Sequence, residues 1–246
     1  MPRRKIQVVP RAQKEVCAPV ACKDCGIYLL CHAVGGDADL SLLDTIVKNR
    51  RTFRRGEFLF RAGEPFRAFY AIRAGSVKTS VLAKDGRTQV TGFHIAGELL
   101  GLSAIVNGYY TCEARALETT AVCEVPLERF EELCKEIPSL PYQMLKVMSQ
   151  EIQHNQELML LLGKRNAEER LATYLLSLSR RFEKRNYSPT QFTLSMSRGD
   201  IGNYLGLAEE TVCRILMRFQ EENLITAQRR QIRLNDLAQL KAIARD

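Results

Sequence analysis

Between residues 52 and 126 the chain is cut into short apolar runs by turn residues, and few folds accept that rhythm. The segments Glu57–Arg61, Phe69–Arg73, Ser76–Leu82, Gln89–His94 and Ala121–Val125 are short and rich in Phe, Val, Ile and Thr. Between them stand Gly56, Gly63-Glu64-Pro65, Gly75, Asp85-Gly86 and Gly97. Branched and aromatic side chains suit a pleated, half-buried surface, whereas Gly, Pro and Asp release the chain into turns. Short strands at intervals of about ten residues predict a β-roll or jelly roll. Asp85-Gly86, set between two alternating runs, predicts a hairpin there.

Helical periodicity replaces this pattern on both sides. Leu40, Leu43, Ile46 and Val47 recur at helical spacing behind Asp37 and Asp39, either of which can cap. Leu127–Ile137 puts Phe130, Leu133 and Ile137 on one face, and Pro138 and Pro141 end it. Tyr142 to Leu162 then carries Leu145, Met148, Ile152, Asn155, Met159 and Leu162 at alternating steps of three and four. That stripe is the seam of a coiled coil and predicts a helix that pairs with a second copy. Asn155 is an amide within the stripe, able to pair across it and set register. Gly163-Lys164-Arg165 reads as a hinge before an amphipathic helix over Ala167–Arg181.

The chain of 246 residues has room for more than one domain, and its 46% hydrophobic content supports real cores. No stretch of 18 apolar residues appears, and no apolar segment follows Met1-Pro2-Arg3-Arg4-Lys5. The expectation is a cytoplasmic chain with no membrane association. The net charge of +8 is uneven. Residues 1–14 carry five basic and no acidic groups, and residues 163–246 hold 15 Lys and Arg against 10 Asp and Glu. A basic end on a slightly acidic body suits a polyanion. His32, His94 and His154 fall in separate regions, and neither a Walker loop nor a nucleophile elbow is present, so no enzyme is expected.

Ser197 followed three residues later by Asp200 is a capping box that opens a helix. Ile201, Tyr204 and Leu205 give that helix its buried face, Gly206 permits a tight turn, and a second helix starts near Glu209. Val212, Leu216 and Phe219 face inward from the second helix, leaving Glu210, Cys213, Arg214 and Arg218 outward. Two short β runs around Gln228-Arg229-Arg230 complete a winged helix-turn-helix, a shape that fits a major groove. Arg can pair bidentately with a guanine edge, and Glu can accept from cytosine N4.

Eight cysteines in a chain of this kind favour metal or redox chemistry over disulfides. Cys22-Lys23-Asp24-Cys25 and then Cys31 form C-x2-C-x5-C, with Cys17 just outside. Three thiolates so close can wrap an iron–sulfur cluster given a fourth ligand. With His32 adjacent, a structural zinc held by three Cys and one His satisfies the same spacing.

Gly199-Asp200-Ile201-Gly202-Asn203-Tyr204-Leu205-Gly206-Leu207, followed by Glu210-Thr211-Val212-Cys213-Arg214, resembles the helix-turn-helix of FNR-type regulators in the CRP/FNR superfamily. The likeness runs from about residue 15 to the end, through Thr91-Gly92-Phe93-His94, Ala116-Leu117-Glu118-Thr119 and Asn166-Ala167-Glu168-Glu169-Arg170. It implies an α+β chain with a cyclic-nucleotide-binding-like β-roll as sensor, a long dimerisation helix and a C-terminal winged helix-turn-helix. The corresponding divisions are a tail and Cys-rich loop at 1–36, the roll at 37–138, the dimerisation helix at 139–163 and the DNA-binding part at 164–246. The resemblance also implies an oxygen-responsive homodimer on palindromic double-stranded DNA, read by Glu210, Cys213 and Arg214. It implies a 4Fe–4S cluster on Cys22, Cys25, Cys31 and Cys123, the last following Ala116-Leu117-Glu118-Thr119. Contact with RNA polymerase through the Ala83–Thr88 hairpin belongs to the same resemblance. Two residues depart from the pattern: Cys213 replaces a Ser of the reading helix, and Ala208 stands where a capping Thr is often found. Gly97-Glu98-Leu99 matches a cyclic-nucleotide turn, but Tyr110-Thr111-Cys112 lacks the Arg a phosphate needs, so no cyclic nucleotide is expected.

Overall fold

The computed structural model describes residues 49–245, Ile137 excepted. Cys17, Cys22, Cys25, Cys31 and the helix expected from Asp37 lie outside the described residues.

Eight strands form the roll: β1 (Asn49–Phe53), β2 (Phe58–Phe60), β3 (Ala68–Ala74), β4 (Ser76–Leu82), β5 (Thr88–Ile95), β6 (Leu99–Leu100), β7 (Glu113–Ala116) and β8 (Thr120–Pro126). They make two four-stranded sheets, in the orders β1-β8-β3-β6 and β2-β7-β4-β5. Phe60, Phe69, Ile72, Val77, Leu100, Val122 and Val125 are buried in the core they share. Tyr110 stacks on Phe60 with ring centroids 3.9 Å apart and donates its hydroxyl to the Ala68 carbonyl at 2.8 Å, so its one polar atom is satisfied inside the roll. The five sequence-read strands are all present, and β4 and β5 form the Asp85-Gly86 hairpin. Strands β1, β6 and β7 were not legible. The sequence of β1 is Asn-Arg-Arg-Thr-Phe, β6 has two residues and β7 has small or charged ones, so none shows apolar alternation.

Helix α1 (Leu127–Glu136) leaves β8 directly, and α2 (Leu140–Lys164) follows. Pro141 does not stop α2 but sits in its first turn, where a missing N–H costs nothing. The helix also continues through Gly163, and the chain bends one residue beyond it, at extended Arg165. At 25 residues α2 is about 37 Å long. Met144 and Leu161 are buried, while Leu145 and Ile152 are each 59% exposed and Met159 71%.

Asn166 opens α3 (Ala167–Glu183) with a capping box to Glu169. Beyond it come β9 (Gln191–Thr193), α4 (Arg198–Leu205), α5 (Glu209–Glu221), β10 (Ile225–Gln228), β11 (Gln231–Leu234) and α6 (Leu237–Ala244). Leu171, Leu175, Ile201, Leu205, Val212, Leu216, Phe219, Ile232 and Leu240 share a second core, and the roll contributes Val90, Phe93 and Leu117 to it. The helical half is thus packed on the roll through apolar contacts. No helix among the described residues is long and apolar enough to cross a membrane.

Candidate nucleic-acid interface

Helix α4 begins where the sequence places it. The Ser197 hydroxyl accepts the Asp200 N–H at 3.0 Å, and an Asp200 carboxylate oxygen accepts the Ser197 N–H at 3.1 Å. It ends at Gly206, whose φ of +64° is a left-handed conformation that disfavours side chains. Gly202 is required for a different reason. A Cβ there would lie 2.6 Å from the Leu207 carbonyl oxygen, so α4 could not approach the turn so closely.

Helix α5 buries Val212, Ile215, Leu216 and Phe219 and exposes Glu210 and Arg214, one turn apart on the outward face. Cys213 beside them is half-buried. The wing is a three-stranded sheet in the order β10-β11-β9, and its tip carries exposed Arg229 and Arg230, with Arg229 at φ +55°. The Arg198 guanidinium reaches the Arg229 carbonyl at 3.4 Å and links the start of α4 to the wing. A carboxylate and a guanidinium on a protruding helix, beside a basic wing, form a surface able to read base edges and hold phosphates.

Ala208 is the N-cap of α5 and offers no side-chain acceptor. An Ala208→Thr variant is expected to gain about 1 kcal/mol. In a domain of this size that is a rise of about 2–4 °C in Tm, readable by calorimetry. An unchanged or lower Tm would show that the cap is satisfied by other means.

The roll meets this half of the chain through a polar seam that sequence reading did not find. Lys78 Nζ lies 2.5 Å from an Asp200 carboxylate oxygen, and the Ser76 hydroxyl, which donates to Glu118 at 2.7 Å, is hydrogen-bonded to the Ser195 hydroxyl at 2.6 Å. Burial opposes ionisation of Asp200, but Lys78 and Ser197 outweigh it and hold its carboxyl below the usual range. Glu98, read in the sequence as part of a nucleotide turn, instead faces Arg181 of α3 and Arg185 just beyond its end. Burial works against its carboxylate, yet these two guanidinium groups hold it at about 2. His94, at the end of the Gln89–His94 run, is largely buried. Burial lowers its imidazole to about 4 despite Glu98 nearby. Its partners, Lys78 with Asp200 and Glu98 with Arg181, are far apart in the chain, and no local pattern pairs them.

Of the four cysteines expected to hold a cluster, Cys123 lies within the described residues. It is a part-buried thiol on β8, with its backbone opposite Arg50 of β1 and Ala71 of β3. Cys112 and Cys134 pack against the roll core, and burial pushes both thiols up, helped by Glu113 and Glu131 respectively. Among the described residues no three His, Cys, Asp or Glu side chains gather to hold a metal.

Comparison with known proteins places these parts. Residues 50–137 match the cyclic nucleotide-binding domain family, and residues 169–243 match the Crp-like helix-turn-helix domain. The chain is 49% identical over 224 residues to the transcriptional activator protein Anr of Pseudomonas protegens, covering 91% of this chain and 92% of that one. It is 43% identical over 244 residues to the fumarate and nitrate reduction regulatory protein of Escherichia coli, covering 98% and 97%. FixK2 from Bradyrhizobium japonicum, a solved structure, superposes with a TM-score of 0.73 at 31% identity over 79% of this chain and 96% of its own. Roll, helix-turn-helix and near-full-length similarity together make this chain a member of the CRP/FNR family, a DNA-binding transcription regulator of the FNR/Anr type and not an enzyme.

Proposed function

We propose that this chain is an oxygen-responsive regulator that works in the cytoplasm as a homodimer on palindromic DNA while a 4Fe–4S cluster is held by Cys22, Cys25, Cys31 and Cys123. The divisions in this reading are 1–36, 37–138, 139–163 and 164–246, for cluster loop, roll, dimerisation helix and DNA-binding part. The observation that carries it is the place of Cys123. It lies on β8, whose first residue, Thr120, accepts the Ser76 N–H at 3.3 Å and donates to the Ser76 carbonyl at 3.0 Å. Ser76 in turn touches Ser195 of the DNA-binding half. A ligand pulling on β8 therefore acts three residues from a bonded link between roll and reader.

The donor set fits the group, since four thiolates are the usual holders of such a cluster. When bound, the cluster supplies an oxygen-labile tie between the N-terminal cysteines and the roll. The other steps belong to the protein. Leu145, Met148, Ile152, Asn155, Met159 and Leu162 of α2 form the seam for a second copy. Glu210, Cys213 and Arg214 read the half-site, with Arg214 contributing about 1–3 kcal/mol of discrimination. The exposed Ala83–Thr88 hairpin is the surface offered to RNA polymerase. No cyclic nucleotide is required: Phe60, Phe66, Tyr70 and Tyr110 fill the roll interior, and Glu98 is engaged by arginines.

An anaerobic ultraviolet–visible spectrum with iron, sulfide and zinc analysis, repeated after air, tests the reading. A broad absorption that bleaches in air, with iron and sulfide near equal, is the expected result. A colourless, air-stable protein containing zinc would replace the sensor with a structural metal and leave DNA binding standing.

A further inference from the structure

We propose that Glu98 and Arg181 are positioning residues that hold the DNA-binding half on the roll and so set the half-site spacing read by a dimer of this chain. The inference rests on the homodimer reading above. In a dimer joined along α2, the distance between the two recognition helices depends on how each helix-turn-helix is oriented relative to α2. Half-sites one helical turn apart require about 34 Å between the reading helices. Covalently, the orientation is controlled at Arg165 and Asn166, the two extended residues between α2 and α3. Two extended residues leave four soft dihedrals and do not define a pose. Noncovalent contacts must do so.

The Glu98 carboxylate is the most fully satisfied of these contacts. Arg181 Nε donates to Oε1 at 2.9 Å and its Nη2 to Oε2 at 2.6 Å, a two-pronged fork. Arg185 adds a contact at 3.0 Å to Oε1, and the Ile95 N–H donates to Oε2 at 3.1 Å. The same Arg181 Nη2 reaches the Phe93 carbonyl at 2.5 Å. Both carboxylate oxygens thus receive donors from α3, while the turn after β5 fixes the carboxylate from the roll side. The fork's plane defines a direction as well as a distance, which a point charge would not.

The rest of the seam resists sliding and agrees with this pose. Strand β5 is the edge of its sheet. The Asn203 side chain closes that edge, accepting the Val90 N–H at 2.5 Å and donating to the Thr88 carbonyl at 2.8 Å. Phe93, Tyr174 and Tyr204 form a ring triangle with centroids 5.2–6.0 Å apart. Asp200 and Asn203 of α4 are taken by the roll, while Glu210 and Arg214 of α5 stay exposed. The docked pose leaves the reading face available.

The test uses full-length protein, reconstituted anaerobically, and a palindromic duplex selected from a random pool by the wild type. Affinity is measured by fluorescence anisotropy on that duplex, on versions with the spacer changed by one or two base pairs, and on a single half-site. Sedimentation is run in parallel. Arg181→Ala and Glu98→Gln are expected to weaken binding to the selected spacing by about tenfold or more and to flatten the spacing profile. They are expected to leave half-site binding and the dimer constant unchanged, and Arg181→Lys should restore part of the preference. Amide hydrogen exchange at Val90 should quicken in the same variants while α3 stays protected. An unaltered spacing profile, or equal losses on half-site and palindrome, would overturn the proposal. A wild type without spacing preference would overturn it too, and its sedimentation as monomer or dimer would show whether the dimer reading falls with it.

Discussion

Cys123→Ser is expected to abolish the air-sensitive absorption and to lower anaerobic affinity for DNA by about 5- to 150-fold, the span of ordinary coupling free energies between two sites. The reason is chemical. A cluster ligand must be deprotonated, and a serine hydroxyl at neutral pH is not. Cys22→Ser, Cys25→Ser and Cys31→Ser are expected to behave alike. Cys112→Ser and Cys134→Ser should spare both properties, because burial in and around the roll core raises those thiols and keeps them protonated. The contrast matters more than any single variant, since it separates loss of a ligand from loss of a sulfur. Wild-type iron and sulfide content in Cys123→Ser would remove this residue from the ligand set.

Ile152→Asp is expected to have an effect of similar size by another route. Ile152 lies mid-way along α2, exposed, in line with Leu145 and Met159. A soluble monomer has no reason to leave this stripe open along one helix face, whereas a second copy would cover it. Covering two Ile152 side chains in a dimer contributes about 3 kcal/mol or more, and opposed carboxylates there add repulsion, so the dimer constant should weaken more than about 100-fold. Sedimentation would show monomer at concentrations where wild type is dimeric, and binding to the palindrome would fall with it. Glu157→Ala, also on α2 but off the stripe, is the control and should change neither. Wild-type sedimentation by Ile152→Asp would move the dimer interface off α2.

The apolar stripe of α2 was visible in the sequence because steps of three and four in one helix need only local periodicity. The structure adds that Met148 and Leu162 are only half exposed, while Leu145, Ile152 and Met159 protrude. The helix-turn-helix was equally legible. Its cap, its left-handed Gly206 and its buried Val212, Leu216 and Phe219 are set by residues within about twenty positions of each other. The long strands of the roll also announced themselves through Phe, Val and Ile between turn residues. Strands β1, β6 and β7 did not, because their place in a sheet depends on partners such as β8, β3 and β4 rather than on their own side chains.

What the sequence determined by itself was therefore much of the short-range pattern: the rhythm of the longer strands and of the helices, the two helices of the helix-turn-helix, the cysteine spacing and the family to which these belong. The tertiary structure alone decided what those pieces do to each other. Glu98 matches a nucleotide turn in the sequence, but folding brings Arg181 to it from 83 positions away. Lys78 and Asp200 are 122 positions apart and meet as an ion pair. A carboxylate's role follows from the charge that neutralises it when it leaves water, and chain order does not say which cation that will be.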